Sequence, residues 1–202
     1  MAKRGEERRE KILQVAESIV LQKGFATTSI DDILQQAHIT KGGFFYHFQG
    51  KSELAKALVE RYLDADDAFF LGLRERAQTL SEDPLQQMLI FLNLMAEAME
   101  NLNDVHPGCL VASFTYESQQ IDEEVKQLIV EGMLRWRMLF NAMLEKIVAV
   151  QQPKLDVDLN QLADMLSSTL EGGILLSRVL GNKMVLVQQI QQYRNHIRLL
   201  FS

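Results

Sequence analysis

Few of the 202 residues carry chemistry by type alone. The chain has four histidines, His38, His47, His106 and His196, and one cysteine, Cys109. None of the histidines follows a glutamate at the Glu-x-x-His spacing that builds metal sites in helical bundles, and no Ser/Cys–His constellation can be read. The sequence therefore offers no metal, no cofactor and no catalytic residue, and an enzyme with a helical-bundle site is the weaker class of reading. Unusual residue types crowd instead into "TKGGFFYHFQGKSEL", residues 40–54. Gly42 and Gly43 each cost about 0.5–1 kcal/mol in a helix relative to Ala. Their missing side chains let backbone approach a phosphate or a base edge closely. Tyr46, His47 and Lys51 supply donors suited to phosphate, which is the chemistry of holding an anion rather than of making or breaking bonds.

These residues need elements to position them. With 11 glycines and 3 prolines among 202 residues, the composition reads as all-α. Ile12, Val15, Ala16, Ile19 and Val20 recur at helical spacing, predicting a first helix over residues 7–23 that stops at Gly24. Thr28 or Ser29, with Asp31 or Asp32 three residues on, caps a short second helix over residues 29–36. The stretch "AHIT" has room only for a tight turn, and Thr40 is a good N-cap for a third helix over residues 40–48. Two short helices joined by a tight turn are the layout of a helix-turn-helix, whose second helix enters the major groove N-terminus first. The third helix has Gly43 where a capping-box carboxylate would stand, so its tip carries nothing to repel phosphate. Phe45 and Phe48, three apart, are expected to anchor it from behind. Phe44, on another face, is expected to reach a thymine methyl. The alternative is a buried hairpin in which all three phenylalanines are core and the glycines form a loop.

Here the residues resemble a known family. Ile39, Thr40, Lys41, Gly42, Gly43, Phe44, Phe45, Tyr46, His47 and Phe48, followed by Lys51, Ser52, Glu53 and Leu54, are similar to the recognition region of the TetR/AcrR transcriptional regulators. The likeness runs from Lys11 to Tyr62. It implies a DNA-binding head at 1–50 and a ligand-binding and dimerisation body at 51–202, joined by a connector helix over 51–80. It also implies a groove-facing set of Lys41, Gly42, Gly43 and Phe44, with Thr28, Thr40, Tyr46, His47 and Lys51 clamping phosphate. The family's usual tyrosine is Phe45 here. Its hydroxyl contact is lost, and Phe45 is left out of the DNA-contact set. Charge agrees only mildly. Residues 1–62 hold 10 Lys/Arg against 8 Asp/Glu, and residues 63–202 hold 11 against 19, for a total of −6.

Beyond Pro84 the pattern predicts a body of about five further helices, for about nine in all. The resemblance implies a homodimer reading a pseudo-palindromic double-stranded DNA operator. On residues 159–201 it places the dimer interface at Leu166, Leu170, Gly172, Gly173, Leu176, Val187, Ile190 and Ile197, where mid-helix glycines would admit a partner helix. The family also implies a pocket for a small apolar or reactive effector. Met88, Phe91, Met95, Met99, Cys109, Phe114, Tyr116, Trp136 and Phe140 are its candidates, because Met and aromatic side chains adapt to apolar ligands. For each of these residues taken singly, ordinary core packing is the better expectation. Cys109 follows Pro107-Gly108 at the start of a short helix, where a thiol becomes more reactive. It is either an electrophile or oxidant sensor or a small buried apolar residue. Glu117 and Glu171 could meet a polar ligand group, though surface or capping roles suit them better. A regulator without a small ligand, controlled by protein contact, stays open. No run of 18 apolar residues spans a membrane, the N-terminus lacks the pattern of a signal peptide, and the expected compartment is the cytoplasm.

Overall fold

The computed structural model describes residues 2–202. They form nine α-helices and one 3-10 turn, with no strand among the described residues. The helices are α1 (Ala2–Lys23), α2 (Ile30–Ala37), α3 (Lys41–Phe45), α4 (Lys51–Leu80), α5 (Pro84–Glu100), α6 (Leu110–Tyr116), α7 (Glu123–Val148), α8 (Leu159–Leu180) and α9 (Met184–Phe201). The 3-10 turn covers Ser118–Gln120. The all-α class and the helix count match the expectation. Caps explain most of the starts: Asp83 accepts from the Gln86 N–H at 2.7 Å with Pro84 at the first helical position, and Asp158 accepts from the Gln161 N–H at 3.0 Å.

The chain folds into two compact units that do not follow chain order. The first takes residues up to Ala65 together with Cys109–Gly132, and the second takes Asp66–Gly108 with Met133–Ser202. In the first unit, Ile12, Ala16, Ile19 and Val20 of α1 are buried with Phe25, Ile33, Phe44, Phe48, Leu54 and Leu58. The later segment adds Leu110, Val111, Phe114, Ile121 and Val125, equally buried. Each such side chain contributes about 1.5–3 kcal/mol when fully buried. Phe25 and Phe114 meet with ring centroids 4.8 Å apart, so α6 packs on the turn that follows α1. Arg61 of α4 ties α1 down, donating to Glu10 at 2.9 Å and also to Glu17. Burial opposes the Arg61 charge, but the two carboxylates outweigh it and raise its pKa.

In the second unit α9 is the central element, packed on both α5 and α8. The Tyr193 hydroxyl donates to the Leu162 carbonyl at 2.8 Å, Arg194 Nε to the Leu89 carbonyl at 3.1 Å, and Gln191 to Asn93 at 3.2 Å. Burial pushes the Tyr193 phenol up, so it stays a donor. This packing corrects the expected dimer set. Leu166, Val187, Ile190 and Ile197 are buried inside the unit. Gly173 belongs to the same internal seam, because a Cβ there would stand 2.7 Å from Leu186 Cδ1 and 3.3 Å from Leu186 Cα. A residue without exposed surface cannot reach a second copy. Leu170 is half-buried. Gly172 and Leu176 face outward, on a stripe with Met165, Leu175 and Val179.

Candidate nucleic-acid interface

Local sequence builds the α2–α3 region step by step. Ser29 caps α2: its hydroxyl oxygen accepts from the Asp32 N–H at 3.1 Å while Asp32 accepts from the Ser29 N–H at 3.0 Å. This is the reciprocal box the spacing predicts, and Lys23 at 2.8 Å joins it. That ammonium first, then the Ser29 hydrogen bonds, hold the Asp32 carboxyl far below its usual range. His38 ends α2 with a left-handed backbone, φ 55 and ψ 47. Two residues later Thr40 caps α3, its hydroxyl oxygen accepting from the Gly43 N–H at 3.2 Å. The helix is shorter than the expected 40–48, and Phe48 closes the last turn by donating to the Phe44 carbonyl at 3.0 Å.

The aromatic residues sort differently from the expectation, and the reason is helical phase. Phe44, expected in the groove, is buried; Phe45, expected as an anchor, is 44% exposed. Phe44 and Phe48 stand four apart, on one face, with ring centroids 5.6 Å apart. Arg9 of α1 lies over the Phe48 ring at 5.3 Å. Tyr46 is 80% exposed and meets half-buried His47 edge-on at 4.9 Å. Lys41 and Gly42 are exposed, and nothing lies within 4 Å of where a Gly42 Cβ would stand.

Two expected phosphate clamps are committed elsewhere. Thr28 is buried, its hydroxyl donating to the Gly24 carbonyl at 2.6 Å. The Lys51 ammonium lies 4.4 Å from the Phe25 ring centroid and donates to the Ala26 carbonyl at 3.1 Å. Burial lowers its pKa, with the Glu117 charge opposing. It lines a hollow of about 120 Å³ with Phe25, Ser52, Ala55, Gln120, Ile121 and Asp122. The residue that sequence reading missed here is Glu117. A surface or capping role is the expectation for it, but the N–H its carboxylate takes belongs to Ala26, in a turn 91 positions away. No local pattern announces such a contact.

The nine expected pocket residues divide between the two units. Met88, Phe91 and Met95 are buried and Met99 half-buried on α5. In the same unit Phe140 meets Phe70 at 5.3 Å and Phe91 at 6.0 Å, and Trp136 meets Phe70 at 5.8 Å. The Trp136 indole donates to Asp67 at 3.0 Å, and Arg135 donates to the same carboxylate at 2.8 Å. Cys109, Phe114 and Tyr116 belong to the first unit. Phe114 is core against Phe25, and Tyr116 is 84% exposed, which removes it from any enclosed lining. Half-buried Cys109 is the N-cap of α6, its sulfur 3.5 Å from the Ala112 nitrogen.

Comparison with known proteins adds to this geometry. Residues 12–58 match the family described as "Bacterial regulatory proteins, tetR family", and residues 84–193 match "Tetracyclin repressor-like, C-terminal domain". The transcriptional regulator AcuR of Cereibacter sphaeroides is 25% identical over 159 residues, covering 78% of this chain and 70% of that protein. The HTH-type transcriptional repressor DhaR of a Mycobacterium species is 23% identical over 176 residues, covering 87% and 84%. Among solved structures, a TetR-family regulator from Agrobacterium tumefaciens superposes with a TM-score of 0.80 at 22% identity, over 98% of this chain and 100% of that one. The reduced form of Escherichia coli NemR gives 0.75 at 19% identity, over 97% of both.

Proposed function

We propose that this chain, which belongs to the TetR family of bacterial transcriptional regulators, is a homodimeric, ligand-responsive repressor that reads a pseudo-palindromic operator through α3. The observation that carries the reading is the division of α3 into an exposed tip and a buried back. Lys41, Gly42 and Tyr46 face outward while Phe44 and Phe48 fix the helix from behind. Thr40, Lys41, Gly42, Gly43, Tyr46 and His47 keep their proposed roles at the DNA. Phe45 takes over the apolar contact first given to Phe44, since an exposed ring can meet a thymine methyl and a buried one cannot. Thr28 and Lys51 leave the set.

The outward stripe of α8 supports the dimer. Met165, Leu175, Leu176 and Val179 expose apolar surface on one helix, and Gly172 leaves open space beside them. Two heads about one helical turn (~34–36 Å) apart would meet successive major grooves. An effector in the apolar body would favour a conformation whose head spacing the operator does not fit. No described helix is long and apolar enough to cross a membrane, which suits a cytoplasmic regulator. The test is selection of DNA from a random pool by the purified chain. Lys41→Ala and Tyr46→Ala should lose the selected sequence while sedimentation still reports a dimer; equal retention by both variants would refute the reading.

One specific observation favours a second form of the same function. Cys109 both caps α6 and remains partly exposed, so modification of its sulfur would remove the cap. If Cys109→Ser still releases DNA normally on treatment with an oxidant or electrophile, covalent sensing is excluded.

A further inference from the structure

We propose that Glu117 is a positioning residue for DNA binding, pinning from α6 the turn that sets where α2 and α3 stand. The turn is Gly24–Ser29. Inside it, the Thr28 hydroxyl holds the Gly24 carbonyl and the Thr28 N–H donates to the Phe25 carbonyl at 3.1 Å. Ala26 is different, because both of its peptide groups are satisfied from outside the turn. Its N–H donates to Glu117 Oε2 at 2.6 Å, and its carbonyl accepts from Lys51 Nζ at 3.1 Å. Two opposite charges, one from the end of α6 and one from the start of α4, thus grip a single residue. Phe25, the residue before it, is held at the same place by the Lys51 ammonium at 4.4 Å and the Phe114 ring at 4.8 Å.

Gly24 completes the arrangement. Its φ of +85 lies in the left-handed region, and a Cβ on it would collide with Glu117 Oε1. The backbone therefore comes close enough at Gly24 for the carboxylate to reach past it to Ala26. A carboxylate accepting an amide N–H is a charge-assisted bond, stronger than a neutral one. Its partner Lys51 is partly desolvated, which lowers its pKa, and the Glu117 charge opposes that. Losing the Glu117 carboxylate would free one peptide group of Ala26 and weaken the grip on the other. The α1–α2 turn would then be held by its own bonds alone, and α3 would sample more orientations than the groove accepts.

The inference rests on the DNA-binding reading above, and the test separates the two. In the full-length protein, amide exchange at Ala26 and affinity for the DNA selected by the wild-type chain are measured for Glu117→Ala and Glu117→Gln. Glu117→Ala should speed Ala26 exchange and weaken DNA binding, each by roughly tenfold or more, the size of a lost hydrogen bond to a charged group. Glu117→Gln keeps an acceptor oxygen but loses the charge, so its Ala26 exchange and its DNA affinity should both fall between those of the wild type and of Glu117→Ala. In the Glu117→Ala background, adding Gly24→Ala should cost less affinity than it does in the wild type, because the colliding carboxylate is gone. Unchanged Ala26 exchange in Glu117→Ala overturns the pin. Faster exchange with unchanged DNA affinity reduces Glu117 to a local cap and overturns its positioning role. A wild-type chain that selects no DNA sinks the regulator reading, and Ala26 exchange then still decides whether the pin exists.

Discussion

The chain writes two glycine pairs into its helices, Gly42-Gly43 in α3 and Gly172-Gly173 in α8, and only one of the four glycines is required by the packing around it. In α3 neither glycine is needed by the packing around it. Gly42 has open space, and a Cβ at Gly43 would meet only Thr40 Oγ1 at an ordinary 3.4 Å. In α8 the two members divide. Gly173 lets α9 approach, while Gly172 has nothing within 4 Å and faces out. A glycine lowers helix propensity, so what it gains must be sought in its surroundings. Gly173 has its gain inside the protomer. At Gly42 and Gly172 no atom from elsewhere in the chain lies within 4 Å of where a Cβ would stand.

The largest effect should come from Gly173→Ala. The new methyl meets Leu186 side chain and backbone at once, and overpacking of that kind costs about 1–3 kcal/mol. Thermal melting should show a fall of several degrees, at roughly 2–4 °C per kcal/mol for a chain of this size. An unchanged melting temperature would erase the distinction between the two pairs. Next is Gly172→Ala, which should gain about 0.5–1 kcal/mol of helix stability per protomer while weakening self-association in sedimentation equilibrium. A dimer as tight as the wild type would show that Gly172 meets no partner helix. Gly42→Ala should stabilise by a similar or smaller amount, about 0.5 kcal/mol so near a helix end, and still bind the selected DNA less tightly. Equal affinity would make the α3 pair ornamental.

The smallest effect bears on the α8 side alone and depends on acidity. His106 lies near α8, where burial first and the Arg178 charge second lower its pKa; its Nδ1 accepts from the Gly108 N–H at 3.2 Å. With the folded value below the ordinary value of about 6.5, the unfolded chain takes up the proton first. This contribution to stability is intact above about 6.5 and is lost as the pH falls toward the folded value. The melting temperature of wild type should therefore drop more between neutral and mildly acid pH than that of His106→Asn, whose amide oxygen can accept the same N–H. Parallel drops would disprove the assignment.

Elements were easier to read than faces. Helix α8 occupies the residues its pattern predicts, and Ser29 with Asp32 forms the box that their spacing announces. Propensity, caps and period act locally, so they are written locally. Which face of a short helix turns inward is not. Phe44 and Phe45 are one step apart, and either can pair with Phe48 at helical spacing; only the packed structure settles that Phe44 is buried. On α8 and α9 apolar residues occupy more than one face, so the buried seam of Leu166, Gly173 and Ile190 looked like the outward stripe of Met165, Leu176 and Val179. Glu117 and Ala26 lie at a sequence distance no periodicity spans.

That distance has a consequence in time. The first unit is not finished when its N-terminal helices have been made, because Phe114 and Glu117, which hold the α1–α2 turn, belong to a stretch running to Gly132. A ribosome adding about 5–20 residues per second needs several seconds to go from Ala65 to that stretch. Until then Phe25 lacks the Phe114 ring and the Ala26 N–H lacks its Glu117 acceptor. A chain stalled at Ala65 should accordingly be cut by protease within α1–α2, and one stalled well past Gly132 should resist. The part of this protein that is made first is completed only after much of the body has followed it out.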